Sequence, residues 1–341
     1  MKTLVVQTAF LGDLLLTLPL VRAIKHNDPD GEIQILIRAG YREVLQSNPD
    51  ISHVIELDKL NTGNGISTTG VIGELRNRKF DKAIIPHRTF RSALIPYLAG
   101  IPERIGFFSA PGYVLYSESL EYLPTGHQIL RMLILAGERG ADVELFPLTI
   151  YPSEDNFVRA DELISGIDVG KAENVAAIAP GSNWATKRWT MPNYAELAER
   201  LIVDYGYHVI FTGADEDKDI CFEISKQLPS SGWAITAGDF SIMETAALFA
   251  RSSFVIANDS AAGHLASGVS TPVLTLYGPT VPVFGFYPIG KENVICERNN
   301  LYCRPCSNHG PMKCPEHHFK CMNELTVDHI LRKMEPLLDR A

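Results

Sequence analysis

Short apolar runs rich in β-branched residues recur along this chain, each followed by a polar or glycine-bearing loop and then by helical material, and they fall into two blocks. TLVVQ (3–7), EIQILIR (32–38) and KAIIPH (82–87) belong to the first block. NVAAIAPGS (174–182), HVIFTGA (208–214), AITAG (234–238), FVIAND (254–259) and PVLTLYG (272–278) belong to the second. Strands that alternate with helical segments need crossover connections, so each block implies a parallel sheet. The expected class is α/β, with two Rossmann-like domains, and 341 residues exceed what one core usually serves. The boundaries predicted are 1–155 for the first domain and 156–324 for the second. A final helix in 325–341 is free to pack back on the first domain. The alternation restarts after the polar, proline-punctuated FPLTIYPSEDN (146–156), and the join lies near residues 150–170.

Residues 8–25, TAFLGDLLLTLPLVRAIK, have the leucines of a secretion signal, but Asp13 interrupts them and no small-residue cleavage site follows. The apolar run from Leu14 to Ile24 is shorter than the roughly 20 residues a bilayer requires. A helix from Gly12, kinked at Pro19, is expected instead, in a cytoplasmic protein. A carboxylate placed in such a run costs several kcal/mol to desolvate unless it is paired or used. The formal net charge of −9 argues against a general nucleic-acid binder, which needs a basic face.

Ligands of doubly wound sheets bind beyond the carboxyl ends of the strands. Four loops occupy such ends: AFLGD (9–13), PGSNWATKRW (180–189), TGADED (212–217) and NDSAAGH (258–264). Two facing domains would aim all four at one cleft. PGSNWATKRW offers Gly181 for close backbone approach, polar donors on Ser182, Asn183 and Thr186, and the cation Lys187, which together make a phosphate-binding inventory. A capped strand-to-helix turn with a solvated Lys-Arg pair reads the same residues more plainly. In NDSAAGH, Asp259 and Ser260 precede the tiny residues Ala261, Ala262 and Gly263, with His264 behind them. A helix N-terminus there would point free N–H groups at an anion, whereas the plainer reading makes Asp259 or Ser260 a simple cap. Neither GxxxxGK[ST] nor, in the first domain, GxGxxG is present.

TAFLGDLLLTLPL, APGSNWATKRW, ANDSAAGHLAS and LYGPTVPVFGFYP together resemble the motifs of the ADP-heptose:lipopolysaccharide heptosyltransferases, inverting enzymes of the GT-B fold in glycosyltransferase family 9. The resemblance is collinear from Thr3 to about Met322, and SNWATKRW is more similar to the branch that adds the second heptose. It implies Asp13 as catalytic base and Lys187 as the lysine on the donor diphosphate. Gly181, Ser182, Asn183 and Thr186 would line that diphosphate, although Asn183 stands where relatives carry a hydroxyl. Asp259, Ser260, Ala261, Ala262, Gly263 and His264 would complete the donor site. Asp217 is the choice for the donor ribose, with Asp215 and Glu216 competing. Arg88, Arg91 and Arg104, within HRTFRSALIPYLAGIPERIGF (87–107), suit an anionic lipopolysaccharide inner core presented at the membrane surface, because guanidinium forks match carboxylate and phosphate. A solvated basic face is the plainer account of them.

The implied donor is ADP-heptose, and no cofactor and no catalytic metal are expected, with Lys187 and helix N-termini opposing the charge that develops on the leaving diphosphate. Two other functions share the architecture: a two-domain sugar-nucleotide epimerase, and a transferase with another nucleotide-sugar donor. A non-catalytic nucleotide-binding module is a third. Cys303, Cys306, Cys314 and Cys321 form a C-x2-C-x7-C-x6-C pattern with His309, His317 and His318 nearby. That pattern is open between a structural zinc site, reduced thiols packed in a loop, and disulfides formed on oxidation.

Overall fold

A computed structural model describes residues 1–59, 63–167 and 174–338. The chain divides into two compact units, Met1–Tyr151 and Pro152–Ala341. In the first unit the elements run β1 (Lys2–Gln7), α1 (Leu11–Asn27), β2 (Glu32–Arg38), α2 (Glu43–Gln46), β3 (His53–Leu57), α3 (Thr68–Arg78), β4 (Lys82–Ile85), α4 (Phe90–Leu98), β5 (Glu103–Phe107), β6 (Glu118–Leu120) and α5 (Gln128–Leu133). The strands form one sheet in the order β3-β2-β1-β4-β5-β6, parallel throughout.

The second unit repeats the plan with α6 (Glu154–Gly166), β7 (Val175–Ala179), α7 (Met191–Val203), β8 (His208–Phe211), α8 (Lys218–Ser225), β9 (Trp233–Ile235), α9 (Ile242–Arg251), β10 (Phe254–Asn258), α10 (Ala261–Gly268), β11 (Val273–Tyr277), β12 (Val294–Glu297), α11 (Lys320–Asn323) and α12 (Val327–Leu338). Its parallel sheet has the order β12-β11-β10-β7-β8-β9. In each sheet the chain winds outward from one central strand, then returns to start again beside it. The reversal falls between β1 and β4 in the first sheet and between β7 and β10 in the second, and at such points the two following loops diverge and leave a crevice.

Helix α1 explains the leucine run. Leu14, Leu15, Leu16, Leu18, Leu20, Val21, Ala23 and Ile24 are all buried, so the helix is apolar nearly all round because it is enclosed by protein. It starts at Leu11, one residue before the expected Gly12, and continues through Pro19 to Asn27 as one helical segment. Thr17 Oγ1 donates to the Asp13 carbonyl at 2.8 Å and accepts from Gln7 Nε2 at 2.9 Å, which ties the first turn to β1.

The division at Tyr151/Pro152 falls four residues before the expected 155/156, and one expectation, for the final helix, changes. The polar PSEDN belongs to a helix start: Ser153 and Asn156 form a capping box for α6, which packs on α9. The final helix, expected to be free to return to the first domain, instead buries Val327, Ile330, Leu331, Met334 and Leu337 in the core of the second unit with Trp189, Tyr194 and Leu201. Its amphipathic stripe finds an apolar partner in α7, and residues 339–341 of the expected segment lie outside the described residues.

Candidate active site

The second unit's switch point is built on a fully buried asparagine. Asn258, the last residue of β10, donates from Nδ2 to the carbonyls of Pro180 (2.8 Å) and Gly181 (3.2 Å). Its Oδ1 accepts from the Trp189 N–H (3.1 Å) and the Tyr194 hydroxyl (3.0 Å). One side chain thus fixes both ends of the loop after β7, and sequence reasoning assigned it no such role. The loop then passes into α7 through Thr190, whose hydroxyl accepts from Asn193 N, with Pro192 in the first turn.

That framework places Lys187 against Asp259. Lys187 Nζ lies 2.6 Å from Asp259 Oδ2 and 3.2 Å from the Asp259 carbonyl, and the two side chains are only 12% and 11% exposed. Thr280, from the loop after β11, donates to the same carboxylate oxygen at 2.7 Å. Asp259 is therefore no helix cap, and Ser260, the N-cap residue of α10, makes no side-chain capping bond either. The first turn of α10 keeps backbone N–H groups that neither residue satisfies, beside a nearly enclosed ammonium. An anion is what such a constellation attracts.

The glycines and neighbouring polar groups sort themselves by contact. A Cβ on Gly181 would overlap the Asp217 carboxylate, so this glycine makes room for Asp217. Asp217 also accepts from Ala214 N at 3.1 Å, and burial raises its pKa. Among the acids that compete for the ribose role, Asp217 is thus the one turned toward the loop after β7. Asp215 is exposed and faces Lys218. A Cβ on Gly263 would come 2.9 Å from Pro288 Cγ, so internal packing accounts for this glycine. Thr186 is buried with its hydroxyl donating to the Pro311 carbonyl, while Asn183 is exposed and Ser182 Oγ accepts from Trp184 N. Ala261 and Ala262 are partly exposed, and His264 is buried in α10.

The cysteine-rich segment buttresses this site. Arg304, 5% exposed, donates to the carbonyls of Gly278 and Thr280 and to Glu297, and Cys306 N donates to the Pro279 carbonyl at 2.8 Å. All six cysteines are free thiols. Cys303 Sγ is 3.9 Å from His318 Nε2, but among the described residues no group of three or more His, Cys, Asp or Glu is arranged to hold a metal ion.

In the first unit, Asp13 occupies the third position of α1, at the positive end of the helix, partly exposed. Around the preceding loop the structure gathers cations: Arg88 and Arg91, which the sequence reading singled out, and Lys59 and Arg38, which it did not. Lys59, two residues beyond β3, donates to the Thr8 carbonyl. Burial pushes its pKa down to about 8, and the neighbouring Arg91 and Arg38 push the same way. Arg38, at the end of β2, covers the exposed Phe10 ring at 5.0 Å. Arg88 lies 3.8 Å over the Tyr122 ring. Arg38, Lys59 and Arg88 each stand at or just past the carboxyl end of a parallel strand, a readable signal.

Arg104 is a correction. It lies at the amino end of β5, away from the strands' carboxyl edge, and its guanidinium donates to the backbone carbonyls of Leu115 (2.7 Å), Ile101 and Pro102 (2.9 Å). Those bonds fasten β5 to the segment before β6, which is a structural role.

A model of glycosyltransferase family 9 (heptosyltransferase) matches residues 69–316. Lipopolysaccharide heptosyltransferase 2 of Salmonella typhimurium is 28% identical over 295 residues, 83% of this chain and 84% of that protein. Among solved structures, ADP-heptose lps heptosyltransferase II of E. coli superposes with a TM-score of 0.81 at 24% identity, covering 100% of this chain and 99% of the other. The glycosyl transferase family 9 protein of Veillonella parvula reaches 0.86 at 21% identity, covering 100% and 98%. These matches show the GT-B fold class, two Rossmann-like units each with a parallel sheet.

Proposed function

Because the chain belongs to glycosyltransferase family 9, the heptosyltransferases, we propose that it moves a heptose from ADP-L-glycero-D-manno-heptose, with inversion, onto the inner core of lipopolysaccharide. The names of its relatives support heptose as the sugar, ADP as the carrier and lipopolysaccharide as the acceptor. One observation within the chain carries the reading: the Lys187–Asp259–Thr280 constellation beside the uncapped start of α10, at the second unit's switch point.

In the proposed mechanism the donor diphosphate takes its place against Lys187 and the first-turn N–H groups of α10. As the acceptor oxygen bonds to the anomeric carbon, the bond from that carbon to the phosphate oxygen breaks. Charge grows on the departing ADP, where a preorganised ammonium and oriented N–H groups stabilise it. The proton of the acceptor hydroxyl passes to the Asp13 carboxylate. Lys187 and the α10 N-terminus take the part that a divalent ion plays in other transferases, so the reaction is metal-independent. Asp217 is proposed for the ribose. Arg91, with Lys59, Arg38 and Arg88 around it, receives carboxylate or phosphate groups of the acceptor. No helix among the described residues is long and apolar enough to cross a membrane, and we place the enzyme peripherally on the cytoplasmic face of the inner membrane, where its acceptor is anchored.

Purified protein incubated with ADP-heptose and a heptose-deficient core acceptor should release ADP and yield an acceptor one heptose heavier by mass spectrometry. Release of free sugar-nucleotide isomers without acceptor consumption, or activity only with a UDP-sugar, would contradict the assignment.

A further inference from the structure

His87 stands two residues past β4, across the switch point from β1 and the loop that leads to Asp13. Its Nδ1 lies 2.9 Å from Ser92 Oγ and 3.1 Å from Thr8 Oγ1. Ser92 is fully buried, and its hydroxyl also lies 2.9 Å from that of Thr89, the N-cap of α4. Three hydroxyls and one ring nitrogen thus join β1, the end of β4 and the start of α4. Thr8 is the shared point, since Lys59 holds its carbonyl while His87 meets its hydroxyl.

The second ring nitrogen behaves differently. Nε2 has no hydrogen-bond partner among the described residues, yet it is not one of the buried polar atoms left unpaired. The side chain itself is partly exposed at the carboxyl edge of the sheet, two residues past β4. In a histidine the bond made by one nitrogen sets the tautomer and the aim of the other. Here Nδ1 is pinned and Nε2 is presented. Burial, reinforced by Lys59 and Arg88, pushes the pKa down to about 4, so the ring is neutral under working conditions. A neutral ring among cations offers a hydrogen bond without adding charge, which suits a sugar hydroxyl better than a phosphate.

We infer that His87 touches the acceptor sugar, its Nε2 hydrogen-bonding a hydroxyl of that sugar and orienting it beside the loop of Asp13. This rests on the heptosyltransferase reading. Proton removal stays with Asp13, and His87 supplies position.

Two conservative substitutions separate this role from a purely structural tie. The amide nitrogen of asparagine reaches about as far as Nδ1, and that of glutamine about as far as Nε2. His87→Asn should keep the melting temperature near that of the wild type, yet raise the acceptor KM about 3–10-fold, the worth of one hydrogen bond, with the ADP-heptose KM unchanged. His87→Gln should keep an acceptor KM near wild type even where the melting temperature falls. In ¹⁵N-histidine spectra of the wild type, adding acceptor should shift the His87 Nε2 resonance. An active enzyme that shows no such shift, with a wild-type acceptor KM in His87→Asn, overturns the proposal. A wild type that transfers no heptose overturns the functional reading itself.

Discussion

The Lys187 ammonium lies 2.6 Å from the Asp259 carboxylate, joining the loops that leave β7 and β10, strands that are neighbours in the sheet but about seventy residues apart in sequence. Both side chains are nearly enclosed, so each charge depends on the other for its compensation.

Lys187→Ala should therefore do two separable things. Removing one partner of an enclosed pair leaves Asp259 uncompensated, and stability should fall by about 3–5 kcal/mol. ADP affinity should fall about 10–100-fold, as expected for a lost charge-assisted hydrogen bond of about 1.5–3 kcal/mol. Adding Asp259→Asn should restore much of the melting temperature without restoring ADP affinity by calorimetry. Unchanged ADP affinity in Lys187→Ala would leave the pair with a structural role alone.

His87 gives a pH signature. Its pKa is about 4 in the folded protein, below the ordinary 6.5, so the folded state binds fewer protons than the unfolded chain between those values. Stability from this group is full above pH 6.5 and is lost as pH falls toward 4. His87→Asn should flatten the stability profile across that window relative to wild type, by at most about 3 kcal/mol. Parallel profiles measured by urea unfolding at pH 7, 5.5 and 4.5 would show that burial does not hold the ring neutral.

Chelation should leave transfer intact, because in the proposed mechanism Lys187 and the start of α10 take the leaving diphosphate. A brief EDTA treatment, with metal analysis and circular dichroism alongside, should change neither rate nor fold. Activity lost with the fold intact, and restored by magnesium or manganese, contradicts the mechanism. Activity lost together with zinc and structure would assign Cys303, Cys306, Cys314 and Cys321 a scaffold metal.

Much of the fold was legible because strands buried on both faces read as unbroken apolar runs, as VAAIA and FVIAN do. The strands β3, β5, β6 and β12 escaped notice, and of these the short edge strand β6, Glu118–Leu120, carries no apolar run at all. Of the candidate site, Lys187 and Asp259 were legible as loop residues at strand ends, but their pairing was not, since it depends on which strands become neighbours. What Gly181 and Gly263 pack against was not legible for a related reason. A glycine's reason for being small lies in what approaches it, here Asp217 and Pro288, and both arrive from elsewhere in the sequence. Arg104 looked like its neighbours Arg88 and Arg91, and only its place at the amino end of β5 separates it from them.

The division of labour between the units is the central claim, and Asp13→Ala tests it most directly when kinetics and calorimetry are run on the same preparation. Asp13 belongs to the first unit and Lys187 to the second. Transfer from ADP-heptose should fall by about 10²–10⁴, the usual worth of a positioned base, while ADP binds with wild-type affinity. Near wild-type turnover, or a loss of ADP affinity as large as the loss of rate, would contradict it.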